Sequence, residues 1–181
     1  DCNMRVFTTF SDSKGKVRAT CLGHTMLEEH TPKGLGNHAA IITEPVSSFP
    51  LADKICEMRE SLGYTGFSNF DIKLREGTDG DFKVFEINLR QGRSNFYMTA
   101  AGINVARLAA EVFQSDGDSV ENCEKSVFWH HIPRSVVYKY AEDEKLVALA
   151  KKLDKEGLGY SSIWYTPDIC LNPMRFICVA E

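Results

Sequence analysis

Apolar positions recur along the chain with a period that changes several times, and each change marks an element. Met4 to Phe10 and Val17 to Leu27 are extended, apolar-rich stretches on either side of the polar residues Asp12 to Gly15. That pattern predicts a hairpin. From His30 to Asn37 the chain is punctuated by Pro32, Gly34 and Gly36, which predicts a loop. Ala39 to Thr43 is a short apolar run of the kind that forms a buried strand. Ser48 and Pro50 then suit the opening of a helix, Ser48 as its cap and Pro50 in its first turn. Leu51, Ile55, Met58 and Leu62 follow at helical spacing, and Gly63 is a natural stop.

Two further strands are predicted over Gly66 to Glu76 and Phe82 to Arg90, joined through Gly77-Thr78-Asp79-Gly80. A helix is expected from Gly102 to Phe113, with Val105, Leu108, Ala109 and Val112 on one face. After Ser115 the composition turns polar and acidic, so Ser115 to Glu124 reads as a linker. Ser126 to Tyr140 reads as extended, and Glu142 to Glu156 as a helix carrying Leu146, Leu149 and Leu153. The expected organisation is a domain over residues 1–114 and an appendix over residues 115–181. The expected fold class is α+β: an antiparallel β-sheet with helices packed on one face, plus a small α/β appendix.

Composition narrows the function classes. The 181 residues suffice for one sizeable domain, and 43% apolar with 25% charged residues is ordinary for a globular chain. No apolar run is long enough to span a bilayer, and no leader peptide is visible. A net charge of −4 argues against nucleic acid as the main ligand. Six cysteines without a C-x-x-C pair make a poor zinc site, and reduced thiols in the cytoplasm are expected. The chain opens Asp1-Cys2-Asn3 without an initiator Met, which reads as a piece of a longer protein. His130 and His131 are neighbours on an extended stretch, so they face opposite ways and do not chelate one ion. Trp164 and Tyr165 are expected to pack the appendix.

The hairpin over residues 66–90 carries the candidate chemistry. Side chains alternate along a strand. Phe70, Ile72 and Leu74 share one face of the first strand; Asn69, Asp71, Lys73 and Arg75 share the other. In the second strand Phe85, Ile87 and Leu89 share a face opposite to that of Glu86, Asn88 and Arg90. A two-residue loop at Thr78-Asp79 would set Asp71 opposite Glu86 and Asn69 opposite Asn88. Like charges placed so destabilise a sheet, unless a cation lies between them. Two carboxylates and an amide carbonyl are hard oxygen donors that suit Mg²⁺, which takes few protein ligands and completes its shell with substrate phosphates. Arg90 and Arg93 follow, and guanidinium forks suit phosphate oxygens. On pattern alone, the same polar faces also fit plain solvated surface.

The run Phe85-Glu86-Ile87-Asn88-Leu89-Arg90-Gln91-Gly92-Arg93-Ser94-Asn95 resembles a signature of the ATP-grasp superfamily, E-[IVM]-N-x-R-x-x-[RG]-[ST]. Gly66 to Asp71 resembles the partner strand of that signature, and the likeness extends over residues 3 to 113. It is similar to the carbamoyl-phosphate synthase large subunit, and in the form of its motif to carboxylate–amine ligases, D-aspartate ligases among them. The resemblance implies the C-terminal, metal-binding half of an enzyme that uses ATP and Mg²⁺ (or Mn²⁺). Such an enzyme joins a small-molecule carboxylate to an amine, amino acids included, through an acyl-phosphate. It implies Asp71, Glu86 and Asn88 as metal ligands, with Glu86 and Asn88 also serving the nucleotide. It implies Arg90 and Arg93 at the transferred phosphate, and Asn37, His38 and Lys73 at the nucleotide or substrate. The nucleotide-clamping N-terminal part of the family is not visible in this sequence. Alternatives are a carbamoyl-phosphate synthase-like enzyme acting on bicarbonate, or a non-catalytic nucleotide-binding module.

Overall fold

A computed structural model describes residues 3–78, 80–111 and 120–162. Strand β1 (Met4–Ser11) and strand β2 (Val17–Glu28) form the expected hairpin, and β3 (His38–Glu44) follows the glycine-punctuated loop. A short 3₁₀ turn (Val46–Ser48) leads to α1 (Ala52–Ser61), and β4 (Gly66–Leu74) and β5 (Phe82–Asn88) form the second hairpin. Helices α2 (Phe96–Ala100) and α3 (Val105–Glu111) come next, then β6 (Glu121–Asn122), β7 (Phe128–His130), α4 (Arg134–Tyr140), α5 (Glu144–Lys155) and β8 (Gly159–Ser161). All eight strands join one sheet in the order β5-β4-β1-β2-β3-β7-β8, with β6 beside β2.

The α+β class holds, and the layout is wider than the sequence pattern suggests. The sheet is mixed: β6 runs parallel to β2 and β8 parallel to β7. Helices lie on both faces. Arg59 of α1 donates to the hydroxyls of Thr9 and Ser11, whereas Tyr97 of α2 donates to the hydroxyl of Thr8. Thr8 and Thr9 are neighbours on β1, so they point to opposite sides. This explains why every residue of β1 is buried. A central strand covered on both faces must be apolar or internally bonded throughout.

Beyond residue 120 the described residues do not stand apart as an appendix. Strands β7 and β8 extend the sheet past β3, and α4 and α5 cover that end through Val137, Leu146, Ala150 and Leu153, packed on Met26, Ala40, Ile42 and Phe128. Residues 126–140 are not extended throughout: Pro133, with its φ near that of a helix, starts α4. Asp143 caps α5, its carboxylate accepting from the backbone of Lys145 and Leu146. Ser48 does not cap α1; its hydroxyl donates to the Pro45 carbonyl inside the 3₁₀ turn. The helix expected over residues 102–113 is α3 (Val105–Glu111), with residues 112 and 113 outside the described residues, and a further short helix, α2, precedes it, parted from it by Gly102 at φ +104°. Cys21, Cys56 and Cys123 are free thiols. Trp164 and Tyr165 lie outside the described residues.

Candidate active site

Asp71 pairs with Glu86 and Asn69 with Asn88, the expected register, though the route to it differs. Near the turn, Leu74 pairs with Phe82, Lys73 with Lys83 and Ile72 with Val84. A loop longer than two residues sets that first register, with the Arg75 N–H donating to the Asp81 carbonyl. A bulge at Phe85 then shifts the pairing by one. Bulges bend a strand and re-aim its side chains. Here the shift brings the two carboxylates face to face. The apolar side of β4 is core, with Phe70 and Ile72 fully buried. The matching side of β5 is not: β5 is an edge strand, and Phe85, Ile87 and Leu89 are exposed.

The polar side of the hairpin opens on a cleft of about 390 Å³. Asp71, Glu86 and Asn88 line one part, and Arg90 and Arg93 the next. Asn37 and His38, at the start of β3, line another. Lys73 shares the strand face with Asp71 but is exposed beyond the cleft, opposite Lys83. Glu29 also lies in the lining, 3.6 Å from the Arg93 guanidinium.

The Asn88 amide donates to Glu86 at 3.1 Å and to Asp71 at 3.4 Å. A positively polarised NH₂ thus sits between two carboxylates, the place a cation would take. Turning that amide presents its oxygen instead, and completes a set of three oxygen donors of the kind Mg²⁺ accepts alongside phosphate. Among the described residues no group of three or more His, Cys, Asp and Glu forms a metal cluster. His38 adds a further group: its Nε2 is 3.5 Å from Asp71, and its Nδ1 is 3.0 Å from the Thr25 hydroxyl, which orients the ring.

The arginine loop is held from beneath by a buried hydrogen-bond chain. Tyr97 donates to Thr8 (2.7 Å), Thr8 to Asn69 (2.6 Å), and Asn69 to the Arg90 carbonyl (2.6 Å). Gly92 lies against this chain. A Cβ there would stand 2.7 Å from Asn95 Oδ1 and 3.2 Å from Asn69 Nδ2. Only glycine lets the loop pass so close to the carboxamides that position it.

No known family model matches the sequence. The chain is 36% identical over 174 residues to a D-aspartate ligase of Enterococcus faecium, a match covering 93% of this chain and 41% of that protein. In three dimensions it is similar to the biotin carboxylase domain of the Hydrogenobacter thermophilus 2-oxoglutarate carboxylase, a structure in complex with MgADP and bicarbonate. The TM-score is 0.52 at 12% identity, over 66% of this chain and 26% of that one. It is also similar to the biotin carboxylase subunit of a pyruvate carboxylase, with a TM-score of 0.51 at 11% identity and the same coverage. The chain belongs to the ATP-grasp superfamily. Its fold and motif agree on this, and the match to the ligase reaches beyond the motif into residues past 113. The chain spans about two fifths of that ATP-grasp relative's length.

Two cleft residues escaped the reading of the sequence. Trp129 and His131, two apart on and just after β7, both line the cleft. His130, between them, faces the other side, stacked on Phe128 and bonded to the Ile132 carbonyl. The alternation that separates His130 from His131 equally joins His131 to Trp129. What hid the pair was the placement of β7 beside β3, which no local pattern announces.

Proposed function

We propose that the protein is an ATP-dependent carboxylate–amine ligase, and that this chain supplies its metal-binding half. The observation that carries the reading is the pairing of Asp71 with Glu86 across the hairpin, with Asn88 between them, in one cleft with Arg90 and Arg93. Asp71, Glu86 and Asn88 would hold Mg²⁺ or Mn²⁺. Bound there, the ion would supply positive charge against the ATP phosphates. Arg90 and Arg93 offset the negative charge that builds on the transferred phosphoryl group and on the acyl-phosphate. Asn37 and His38 bound the cleft where nucleotide or substrate meets β3, and Lys73 serves the long-range field beside it. The substrate carboxylate attacks the γ-phosphate, and ADP leaves. An amine then attacks the acyl carbon, and phosphate leaves as the amide forms.

The named relative joins D-aspartate, so an amino diacid is the substrate class we favour over bicarbonate. The five-group constellation in one cleft favours an enzyme over a non-catalytic module. We place the protein in the cytoplasm, where ATP is supplied; among the described residues no helix is long and apolar enough to cross a membrane. The test is phosphate release by the full-length protein with Mg·ATP, D-aspartate and a panel of amines. The expected result is substrate-dependent release that falls at least about 10²-fold in Glu86→Gln. Release that Glu86→Gln leaves intact would refute the site, and nucleotide binding without turnover on any substrate pair would favour the module.

A further inference from the structure

His38 reaches the cleft against the rule of alternation. Ala40 and Ile42 of β3 pack with Met26 on the α4–α5 side, and regular alternation would send His38 the same way. Instead the pairing of β2 with β3 shifts twice, between Thr25 and Leu27 and between Leu27 and Glu28, and His38 falls opposite Glu28. Such irregularities re-aim side chains and gather beside functional sites. Here the imidazole is turned into the lining of the cleft, with its side chain 9% exposed. Both ring nitrogens face defined groups. Nδ1 is 3.0 Å from the hydroxyl of the fully buried Thr25. Nε2 stands 3.5 Å from Asp71 Oδ1, which is long for a hydrogen bond. The other oxygen of Asp71 is 3.4 Å from the Asn88 amide, and Glu86 is 3.1 Å from that amide. The imidazole nitrogen thus continues a row of polar atoms that runs from β5 across β4 to β3, with no step above 3.5 Å.

We propose that His38 is a nitrogen ligand of the divalent cation in this cleft, bound beside Asp71, and that Thr25 orients it. The inference rests on the ligase reading above and adds which ion the site selects. Adjacent donors on an octahedral ion with bonds of about 2.1 Å stand about 3 Å apart, so a small turn of either side chain brings Nε2 and Oδ1 onto one ion. A ligating imidazole gives its other ring N–H to an acceptor, which fixes the tautomer and the plane of the ring. The Thr25 hydroxyl is that acceptor, and it leaves the Nε2 lone pair facing Asp71. A lone pair set against a carboxylate is unfavourable until a cation lies between them. The Asn88 amide stands between Glu86 and this pair, so His38, Asp71 and Glu86 do not meet at one point until that amide turns. An imidazole nitrogen favours a transition ion such as Mn²⁺ over Mg²⁺, which prefers oxygen. The site is thereby tuned toward Mn²⁺.

The experiment uses the full-length protein with Mn²⁺ and ADP, read by electron spin-echo modulation in unlabelled and ¹⁵N-histidine-labelled samples. Free Mn²⁺ in the same samples gives its affinity, and competition gives that of Mg²⁺. The expected spectrum carries nitrogen modulation that changes on labelling and is absent from His38→Gln. The Kd for Mn²⁺ should rise about 10- to 100-fold in His38→Gln and about 10-fold in Thr25→Val, while the Kd for Mg²⁺ moves less than about threefold. The labelled native protein reports the coupling without any variant, should one fail to fold. Mn²⁺ binding that depends on Glu86 but shows no nitrogen modulation would overturn the His38 ligand and leave the ligase reading standing. Modulation that survives in folded His38→Gln would do the same, and would pass the nitrogen to another histidine, with His131 in the same cleft the first to replace. No bound Mn²⁺, or binding that Glu86→Gln leaves unchanged, would overturn both.

Discussion

At the residue scale, the site depends on the hydrogen bonds that hold its arginine loop. Asn69, at the floor of the cleft, is held by Thr8 and in turn holds the carbonyl of Arg90. Asn69→Ala would take the acceptor from the Thr8 O–H, which still accepts from Tyr97, and the side-chain donor from the Arg90 carbonyl, at a cost of about 1–3 kcal/mol each where buried. We expect a loss of about 2 kcal/mol in urea unfolding, together with a larger proportional fall in kcat than in Mg·ATP affinity, since the arginine loop loses its anchor. Gly92→Ala tests the same anchor from above. Its methyl would collide with the carboxamides of Asn95 and Asn69. Activity should fall steeply while the melting temperature moves little; a variant of native activity would show that the loop tolerates displacement. Much at this scale was legible in the sequence. Asp71, Glu86, Asn88, Arg90 and Arg93 were singled out by strand alternation and the motif, and they line one cleft. Trp129 and Glu29 were not, because a lone Trp and a charged run carry no signal until a fold sets them beside a site.

At the element scale, one cluster ties three strands together on the face away from the cleft. Arg5 on β1 donates to Glu44 on β3 at 2.8 Å, and His24 on β2 bonds the same carboxylate at 2.8 Å. Burial raises the Glu44 pKa, but the His24 hydrogen bond and the Arg5 charge outweigh it, so its carboxyl lies below the usual value of 4.5. A depressed carboxylate contributes stability above its unfolded pKa and loses it as pH falls through the folded one. Stability should therefore decline as pH drops below about 4.5, and Glu44→Gln should flatten that decline while lowering stability at neutral pH. Equal slopes in the two proteins would show that other carboxylates govern the acid limb. The Phe85 bulge belongs to this scale too. The alternating pattern sets Phe85, Ile87 and Leu89 on one apolar face, yet all three are exposed. Periodicity tells which residues share a face, but not whether another layer covers it.

At the scale of the whole molecule, the two faces of the sheet are coupled through β7. Phe128 points to the α4–α5 side, stacked on Tyr138 and packed on Val137 and Leu146. Trp129 points the opposite way, into the wall of the cleft. Phe128→Ala would remove a fully buried ring, at a cost of about 3–5 kcal/mol. It should also lower the rate of phosphate release, because the strand that forms this wall of the cleft loses its backing. Destabilisation with an unchanged rate would show that the wall of the cleft is held by β3 alone.

By itself the sequence determined the elements up to residue 88 to within a few positions, the α+β class, the superfamily and the acidic hairpin with its two arginines. These follow from local periods, turn formers and a compact motif, all of which act over a dozen residues or fewer. Tertiary structure alone decided the rest. The bulge at Phe85, and not a two-residue turn, aligned the carboxylates, because the longer loop set a register one residue off. Helices covered both faces, because Thr8 and Thr9 each found a partner on its own side. The segment beyond residue 120 became part of the sheet and of the cleft, because β3 offered a free edge whose hydrogen bonds β7 could satisfy. Pairing between segments more than 80 residues apart leaves no trace in a local pattern.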